Sequence, residues 1–217
     1  MVAMTLACGH GSNQSPVPRP TAPLPTAALA GQPVSLFPLT LVAAEDSLHW
    51  EAQLGDRHAT LAKADSVIST LIKARAPEVT WVLPEELRRA ARRAPSVATD
   101  PDQMSTALLR AENVAIVPDP LRSQLRTLAA IAGGRYALVP AALVFRRTVA
   151  PGDGRTVPGP TAPPPLPHPP VATAELSIVM VDVRLGRIDW RTIARGRGDD
   201  PWSALTRAVK NLTPGLP

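Results

Sequence analysis

Proline decides which parts of this chain can fold. Its 26 prolines gather mainly into two stretches, Pro16 to Pro38 and Pro151 to Pro170. Proline fixes φ and has no amide hydrogen to donate, so such stretches favour extended, polyproline-like or disordered chain. The 217 residues leave room for one ordinary domain plus appendages. The expected division is residues 1–32 as a tether and residues 33–217 as a single α/β domain. Within that domain, 151–170 forms an enlarged, disordered hairpin loop, because strand-like sequence flanks it on both sides.

Element signals are clear over most of the remainder. PVSLFPLTLVA (33–43) predicts a first strand, which Pro38 confines to an edge or a bulge, and Ser47 to Trp50 is expected to continue it. Between Arg57 and Arg75 the apolar residues Leu61, Ala64, Ile68, Leu71 and Ile72 recur at three and four, the period of a helix face. Asp56 is the expected N-cap of that helix and Pro77 its stop. EVTWVLP then alternates as a short strand. Pro84 follows as a first helical residue, with Glu85 and Glu86 in the positive first turn, for a helix ending near Arg93.

Asp100-Pro101-Asp102 predicts another helix to about Arg110, and Asn113 to Val117 reads as a brief strand or buried loop. Asp119-Pro120 opens a helix with Leu121, Leu125 and Leu128 on one face, closed by Gly133-Gly134. The last third predicts strands over 135–149, 174–184 and 187–195, the last two forming a tight hairpin through Leu185-Gly186. Asp200-Pro201 opens a final helix. The fold class expected is α/β (α+β): a mixed sheet with helices packed on it, C-terminal antiparallel strands and then a last helix.

With aromatics at 3% and hydrophobic residues at 45%, the core must be built from Ala, Val, Leu and Ile, and Trp50, Trp81, Trp190 and Trp202 read as its anchors. The strand 174–184 is apolar on both faces, as in a strand covered on two sides. In the next strand Ile188, Trp190, Thr192 and Ala194 form the expected core side, with Trp190 beneath the helices. Arg187, Asp189, Arg191, Ile193 and Arg195 form a wet side free to meet an acidic partner.

Catalytic constellations are not apparent. His10, His49, His58 and His168 lack metal-ligand spacing, and no nucleophile elbow, Walker loop or dinucleotide fingerprint follows a strand. Asp182 and Asp189 read as ordinary exposed acids beside a hairpin turn, and Gly196 and Gly198 as a mobile turn before the last helix. No catalytic, metal or cofactor residue is therefore assigned.

The chain carries +5 net charge, and only three of its 23 basic residues are lysines. A basic balance suits nucleic acid or anionic lipid, yet the arginines do not gather into one stripe with interleaved aromatics, so nucleic acid is the lesser reading. LPEELRRAARR (83–93) is the densest cluster. Arg88 and Arg92 share one helix face, and Arg89 and Arg93 another. The cluster reads either as a solvated face or as contact with an acidic partner or anionic lipid. The candidate partner-binding residues are Arg88, Arg89, Arg92, Arg93, Arg191 and Arg195.

MVAMTLACGHGSNQSP (1–16) resembles the end of a bacterial lipoprotein signal peptide, with Cys8 as the lipidation site. The apolar part is short and lacks a basic start, which a start codon further upstream would explain. Gly9 after the cysteine does not suggest inner-membrane retention, so the outer membrane is the expected anchor site, with the polar, proline-rich segment as a tether.

The order of elements is similar to that of a group of bacterial envelope proteins. LSIVMVDVRLGRIDWRTIARG (176–196) resembles their strand–turn–strand, with Asp182 before the turn, Gly186 in it and Trp190 on the next strand. LRTLAAIAGGRYALVPAALV (125–144) resembles their helix, small-residue turn and strand, and 57–93 their first long helix with the short strand and helix after it. The group comprises the curli-assembly secretion lipoproteins, the penicillin-binding-protein activator lipoproteins and the N-terminal domain of the Tol translocation protein B. The resemblance implies an anticodon-binding-like α/β fold without enzymatic activity. The loop 151–170 departs from the group, as does the lack of a transmembrane hairpin of the curli channel kind, which favours an adaptor role over a channel.

The expectation is thus a non-enzymatic, periplasm-facing, outer-membrane-anchored adaptor or assembly and secretion accessory. It binds envelope proteins, with self-association left open, uses no cofactor, and meets the membrane through Cys8. The alternative is a soluble basic domain that binds nucleic acid.

Overall fold

The computed structural model describes residues 29–148 and 171–212. Cys8, His10, His168 and the loop 151–170 lie outside the described residues. The mixed sheet and the packed helices expected from the sequence are present. Strands β1 (Pro33–Leu36), β2 (Val42–Ala44), β3 (Thr80–Val82), β4 (Tyr136–Arg147), β5 (Ala172–Asp182) and β6 (Arg187–Gly198) form one sheet in the order β3-β1-β4-β5-β6, with β2 also on β4. The pairs involving β1 and β2 are parallel, and β4-β5-β6 are antiparallel. Helices α1 (Glu51–Leu54), α2 (Arg57–Arg75), α3 (Pro84–Arg93), α4 (Leu121–Ala132) and α5 (Pro201–Asn211) complete the order.

The starts of the helices follow local chemistry. Asp56 accepts from the Ala59 amide at 3.1 Å, and Asp200 accepts from the Trp202 and Ser203 amides at 2.9 Å each. These bonds satisfy amides that a helix start leaves without an intrahelical partner. Pro84 opens α3, and Glu86 turns back to the Leu83 amide at 3.0 Å. Gly133 closes α4 with φ of 85°, where a side chain would be strained. Pro120, not Asp119, caps the start of α4, and Asp119 instead accepts from the Ser123 hydroxyl at 2.9 Å.

Two apolar layers sandwich the sheet. On one face Ile68 and Ile72 of α2 and Leu205 and Val209 of α5 pack on Leu36, Phe145, Leu176, Ile178 and Met180. On the other, Leu87 of α3 and Leu121, Leu125 and Leu128 of α4 pack on Ala137, Val139, Val179 and Val181. This explains why β5 is apolar on both sides. Trp50 is fully buried, edge-on to Phe145 at 5.5 Å between centroids. Trp81, Trp190 and Trp202 are only half-buried against the same layer, so the expectation of four buried anchors holds for one.

The expected strand 33–43 is two strands on one neighbour. Between them residues 38–40 leave the ladder at Pro38, opposite a bulge in β4 at Ala141, while Phe37 N and the Leu41 carbonyl still bond to β4. The excursion removes amides from the ladder, and other groups take them up. Leu39 N donates to Asp65 Oδ1 at 2.8 Å, Arg57 Nη2 donates to the Thr40 carbonyl at 2.9 Å, and the Thr40 and Thr106 hydroxyls meet at 2.7 Å. Ser47 to Trp50 does not continue a strand, because Asp46–Leu48 is a single 3₁₀ turn that delivers Leu48 and Trp50 to the core.

Three further expectations are corrected. The helix expected over 100–110 is two 3₁₀ pieces, Pro101–Gln103 and Thr106–Arg110. Met104 between them is extended and buried, and Thr106 must turn its hydroxyl to Thr40, demands that a continuous helix would not meet. Gly196 and Gly198 are not a turn but the end of β6, packed against α5. In β6 a bulge falls at Asp189, since Trp190 pairs with Met180 while Ile188 pairs with Val181. Ile188 and Trp190 therefore serve opposite layers, and the expected common face does not exist.

The β4–β5 ladder runs to Arg147 opposite Ala172, and Thr148 N then donates to the Val171 carbonyl at 2.8 Å. Residues 149–170 thus connect two points already joined. Replacing 151–170 by a short Gly-Ser or Asn-Gly connection is expected to leave the melting temperature unchanged or slightly higher, because loop closure depends weakly on length. A loss above about 2 kcal/mol would mean that the prolines pack on the fold.

Candidate partner interface

Helix α3 is amphipathic. Its apolar positions Leu87 and Ala91 face the sheet, and Glu85, Glu86 and four arginines make up most of the rest. Arg88 lies on the inner boundary and is not a surface group, since its side chain is 14% exposed. Its Nη2 donates to Asp65 Oδ2 at 2.6 Å and to Asp102 Oδ1 at 2.7 Å, its Nε to Asp102 Oδ2 at 2.8 Å, and its Nη1 to Glu85 Oε1 at 2.6 Å. The planar guanidinium fork fits three carboxylates at once. Arg88 thereby ties α3 to α2, to the 3₁₀ turn at 101–103 and, through Asp65, to the excursion at Leu39.

The two sides of this cluster respond differently to burial. Asp102, then Asp65, hold Arg88 firmly protonated against the cost of desolvation. Burial pushes the Asp65 carboxyl up to about 6, outweighing the Leu39 amide and Arg88, which both pull it down. Burial thus leaves its mark as a raised carboxyl at Asp65, while the carboxylates around Arg88 keep it cationic.

Arg89, Arg92 and Arg93 are exposed. Among the described residues none of the three is paired with a carboxylate. Glu85 and Glu86, the nearest acids on the helix, are engaged by Arg88 and by the Leu83 amide. Of the four arginines expected to meet a partner from this helix, three are at the surface and the fourth belongs to the frame.

The arginines of β6 also divide. Arg191 is not free, because Nη1 donates to the Ala111 carbonyl at 2.5 Å and Nη2 to the Val114 carbonyl at 2.6 Å. It secures the segment that lies against the start of β6, where Ile188 N meets the Ala115 carbonyl at 2.9 Å. Arg195 is exposed, and its Nε meets Glu175 Oε1 at 2.9 Å. Glu175 Oε2 also accepts from Arg146 Nε at 3.0 Å. Arg195, with Arg146, holds the Glu175 carboxyl below its ordinary value against the opposing effect of burial.

Asp182 differs from its expected role as an exposed acid. It is 1% exposed and accepts from Arg135 Nη2 at 2.7 Å and from the Arg184 and Leu185 amides at 2.9 and 3.2 Å. Burial works to raise its carboxyl, but Arg135 and the two turn amides outweigh it and hold it below the ordinary value. The carboxylate shapes the β5–β6 turn. His49 and His58 are exposed, and among the described residues no group of three or more His, Cys, Asp or Glu is placed to hold a metal.

Sequence reasoning missed Asp65, Asp102, Glu175, Arg146 and Arg197. Arg197 fell in the expected turn, whereas Arg191 and Arg195 were visible on one strand face. The partners were not, since Asp65 lies 23 residues and Asp102 14 residues from Arg88, and Glu175 lies 29 residues from Arg146 across the loop.

No family model matches the chain, and no curated protein matches it. Among solved structures it is similar to the PelC dodecamer from Paraburkholderia phytofirmans, at 12% identity and a TM-score of 0.40 over 86% of this chain and 90% of that one. It is similar to the LpoB C-terminal domain from Escherichia coli at 16% identity and a TM-score of 0.36, over 77% of this chain and 83% of that one. Lipoprotein GNA1162 from Neisseria meningitidis is similar at 12% identity and a TM-score of 0.37, over 77% and 83%. Likeness at this level assigns no role to any residue of this chain.

Proposed function

We propose that this chain is a non-catalytic, lipid-anchored protein of the bacterial envelope that binds another protein through the arginines of α3. Its lipid anchor is Cys8, its tether the first proline cluster, and its folded part faces the periplasm as an adaptor or assembly accessory. The observation that carries the binding surface is the exposure of Arg89, Arg92 and Arg93 without a carboxylate partner among the described residues, on a helix braced from beneath by Arg88. Three unneutralised guanidiniums within one helix face suit an acidic surface, which they attract at range and orient on contact. The anchor rests on the resemblance of residues 1–16 to a lipoprotein signal.

Two variants test the proposal. In membrane-competent cells the Cys8→Ser protein is expected to leave the detergent phase and to lose acyl groups by mass spectrometry. An unmodified Cys8 in the parent protein would end the anchoring reading. The triple variant Arg89→Glu, Arg92→Glu, Arg93→Glu is expected to fold with an unchanged melting temperature and to lose its protein partner in envelope crosslinking. Retention of the DNA-binding that a basic domain can show, with protein crosslinks unchanged, would favour the nucleic-acid alternative.

A further inference from the structure

The two helix-bearing layers leave one end of the sheet bare. On the face that carries α3 and α4, the turn Thr106–Arg110 ends the cover at the rung Ala142–Ser177–Ile193, where Ala142 is buried and Ile193 exposed, and the rungs beyond it toward the loop end read Val144–Glu175–Arg195, then Arg146–Thr173–Arg197. Residues opposite one another in an antiparallel ladder point to the same side, so these side chains form a single strip. Two clefts lie along it. One, of about 450 Å³, is bounded by Leu109, Arg110 and Glu112 on one wall and by Arg191, Ile193 and Arg195 on the other. The second, of about 560 Å³, continues past Glu175 and Arg195 to Arg146, Arg147 and Arg197.

The chemistry of the strip is specific. Glu175 sits between two guanidiniums and takes one Nε from each, from Arg195 at 2.9 Å and from Arg146 at 3.0 Å. The terminal nitrogens of Arg195 have no partner among the described residues, and Arg146 Nη1 reaches Glu45 at only 3.5 Å. The Arg197 guanidinium is exposed and engaged by none of the described residues, its backbone carbonyl being the part that Arg207 holds. A carboxylate is therefore the anion this strip already accommodates, with guanidinium donors left over. No aromatic ring lines either cleft, so bases would find no stacking platform. The edge of β6 is also not open for a strand beyond Arg195, because Asn211 Nδ2 and Arg207 Nη1 hold the Arg195 and Arg197 carbonyls at 2.7 and 2.5 Å. An occupant must lie on the face, held by side chains.

We infer that this bare strip is a second binding site, distinct from α3, that takes a carboxylate-rich peptide segment of a protein partner between Arg195, Arg197 and Arg146. Glu175 acts there as an internal stand-in for the ligand carboxylate. It keeps the arginines extended and aligned, and competes weakly with what arrives.

The site is tested by fluorescence anisotropy on the full chain with a labelled hexaglutamate peptide, and with a labelled hexathymidylate for comparison. Arg195→Glu with Arg197→Glu is expected to weaken the peptide at least tenfold, and Arg197→Ala alone, which removes no internal pair, about threefold or more. Glu175→Gln is expected to tighten it, because it frees both guanidiniums while keeping the shape. In the background of the α3 triple variant, Arg195→Glu with Arg197→Glu is still expected to weaken the remaining peptide binding at least tenfold, which separates this site from the α3 reading. Peptide affinity unchanged by Arg197→Ala and by the double reversal would overturn the inference. So would absence of peptide binding by the parent, or tighter binding of the oligonucleotide than of the peptide.

Discussion

Arg88→Ala is expected to cost about 3–5 kcal/mol of folding stability, the loss seen when one partner of a buried ion cluster is removed. The residue stands between Asp65 and Asp102, and without it two carboxylates face each other beneath α3. Arg88→Lys is expected to recover only part of the loss, since an ammonium is a point donor that cannot fork to three acids. The deficit also depends on pH in a fixed sense. The Asp65 carboxyl titrates at about 6 in the folded protein against an ordinary value of 3.8, so the folded state binds that proton more tightly than the unfolded state does. The associated stability is fully present below the ordinary value and lost as pH rises through about 6. Removing Arg88 takes away contributions that lower the carboxyl and moves it further up. Urea midpoints for Arg88→Ala should therefore fall further below the parent at pH 8 than at pH 5. A variant with parental midpoints at both would return Arg88 to the surface.

Gly196→Ala is the second substitution with a large expected effect. A Cβ at this position would stand 2.1 Å from the Ala208 amide nitrogen and 2.4 Å from the Ala204 carbonyl oxygen. Both are backbone atoms of α5, so no rotamer change relieves the contact and the helix must move off the sheet. The cost is expected at the upper end of the about 1–3 kcal/mol typical of overpacking. Gly198→Ala meets the Ala204 amide at 2.5 Å and should behave similarly. The double variant is expected to lose the packing of Leu205 and Val209, reported by a lowered and broadened thermal transition. A thermal transition unchanged by Gly196→Ala would show that α5 does not sit on β6 as described.

What the sequence disclosed follows from the range of the interactions. Helix starts at Asp56, Pro84 and Asp200, and the stop at Gly133, were legible because cap and helix are adjacent in the chain. The two-sided cover of β5 was legible because its apolar residues fall on both parities. Gly196 and Gly198 misled because Gly before Asp-Pro is also what a turn looks like. Their true role, close approach of a helix that follows in sequence, depends on α5 folding back. The bulge at Asp189 carries no local signal, and one extra residue sent Ile188 and Trp190 to opposite layers. The arginines of α3 looked alike in sequence. Only the fold, by bringing Asp65 and Asp102 under one of them, separated the brace from the three that face outward.

That separation is the centre of the account, and placing a photo-crosslinking residue at position 92 of the full-length protein in living cells tests it most directly. Position 73 on α2, also exposed, serves as the control. A discrete protein adduct is expected at 92 that is weak or absent at 73 and that disappears when Arg89 and Arg93 are changed to Glu, with the melting temperature preserved. Equal crosslinking at both positions, a nucleic-acid adduct at 92, or an adduct indifferent to Arg89→Glu and Arg93→Glu would contradict it.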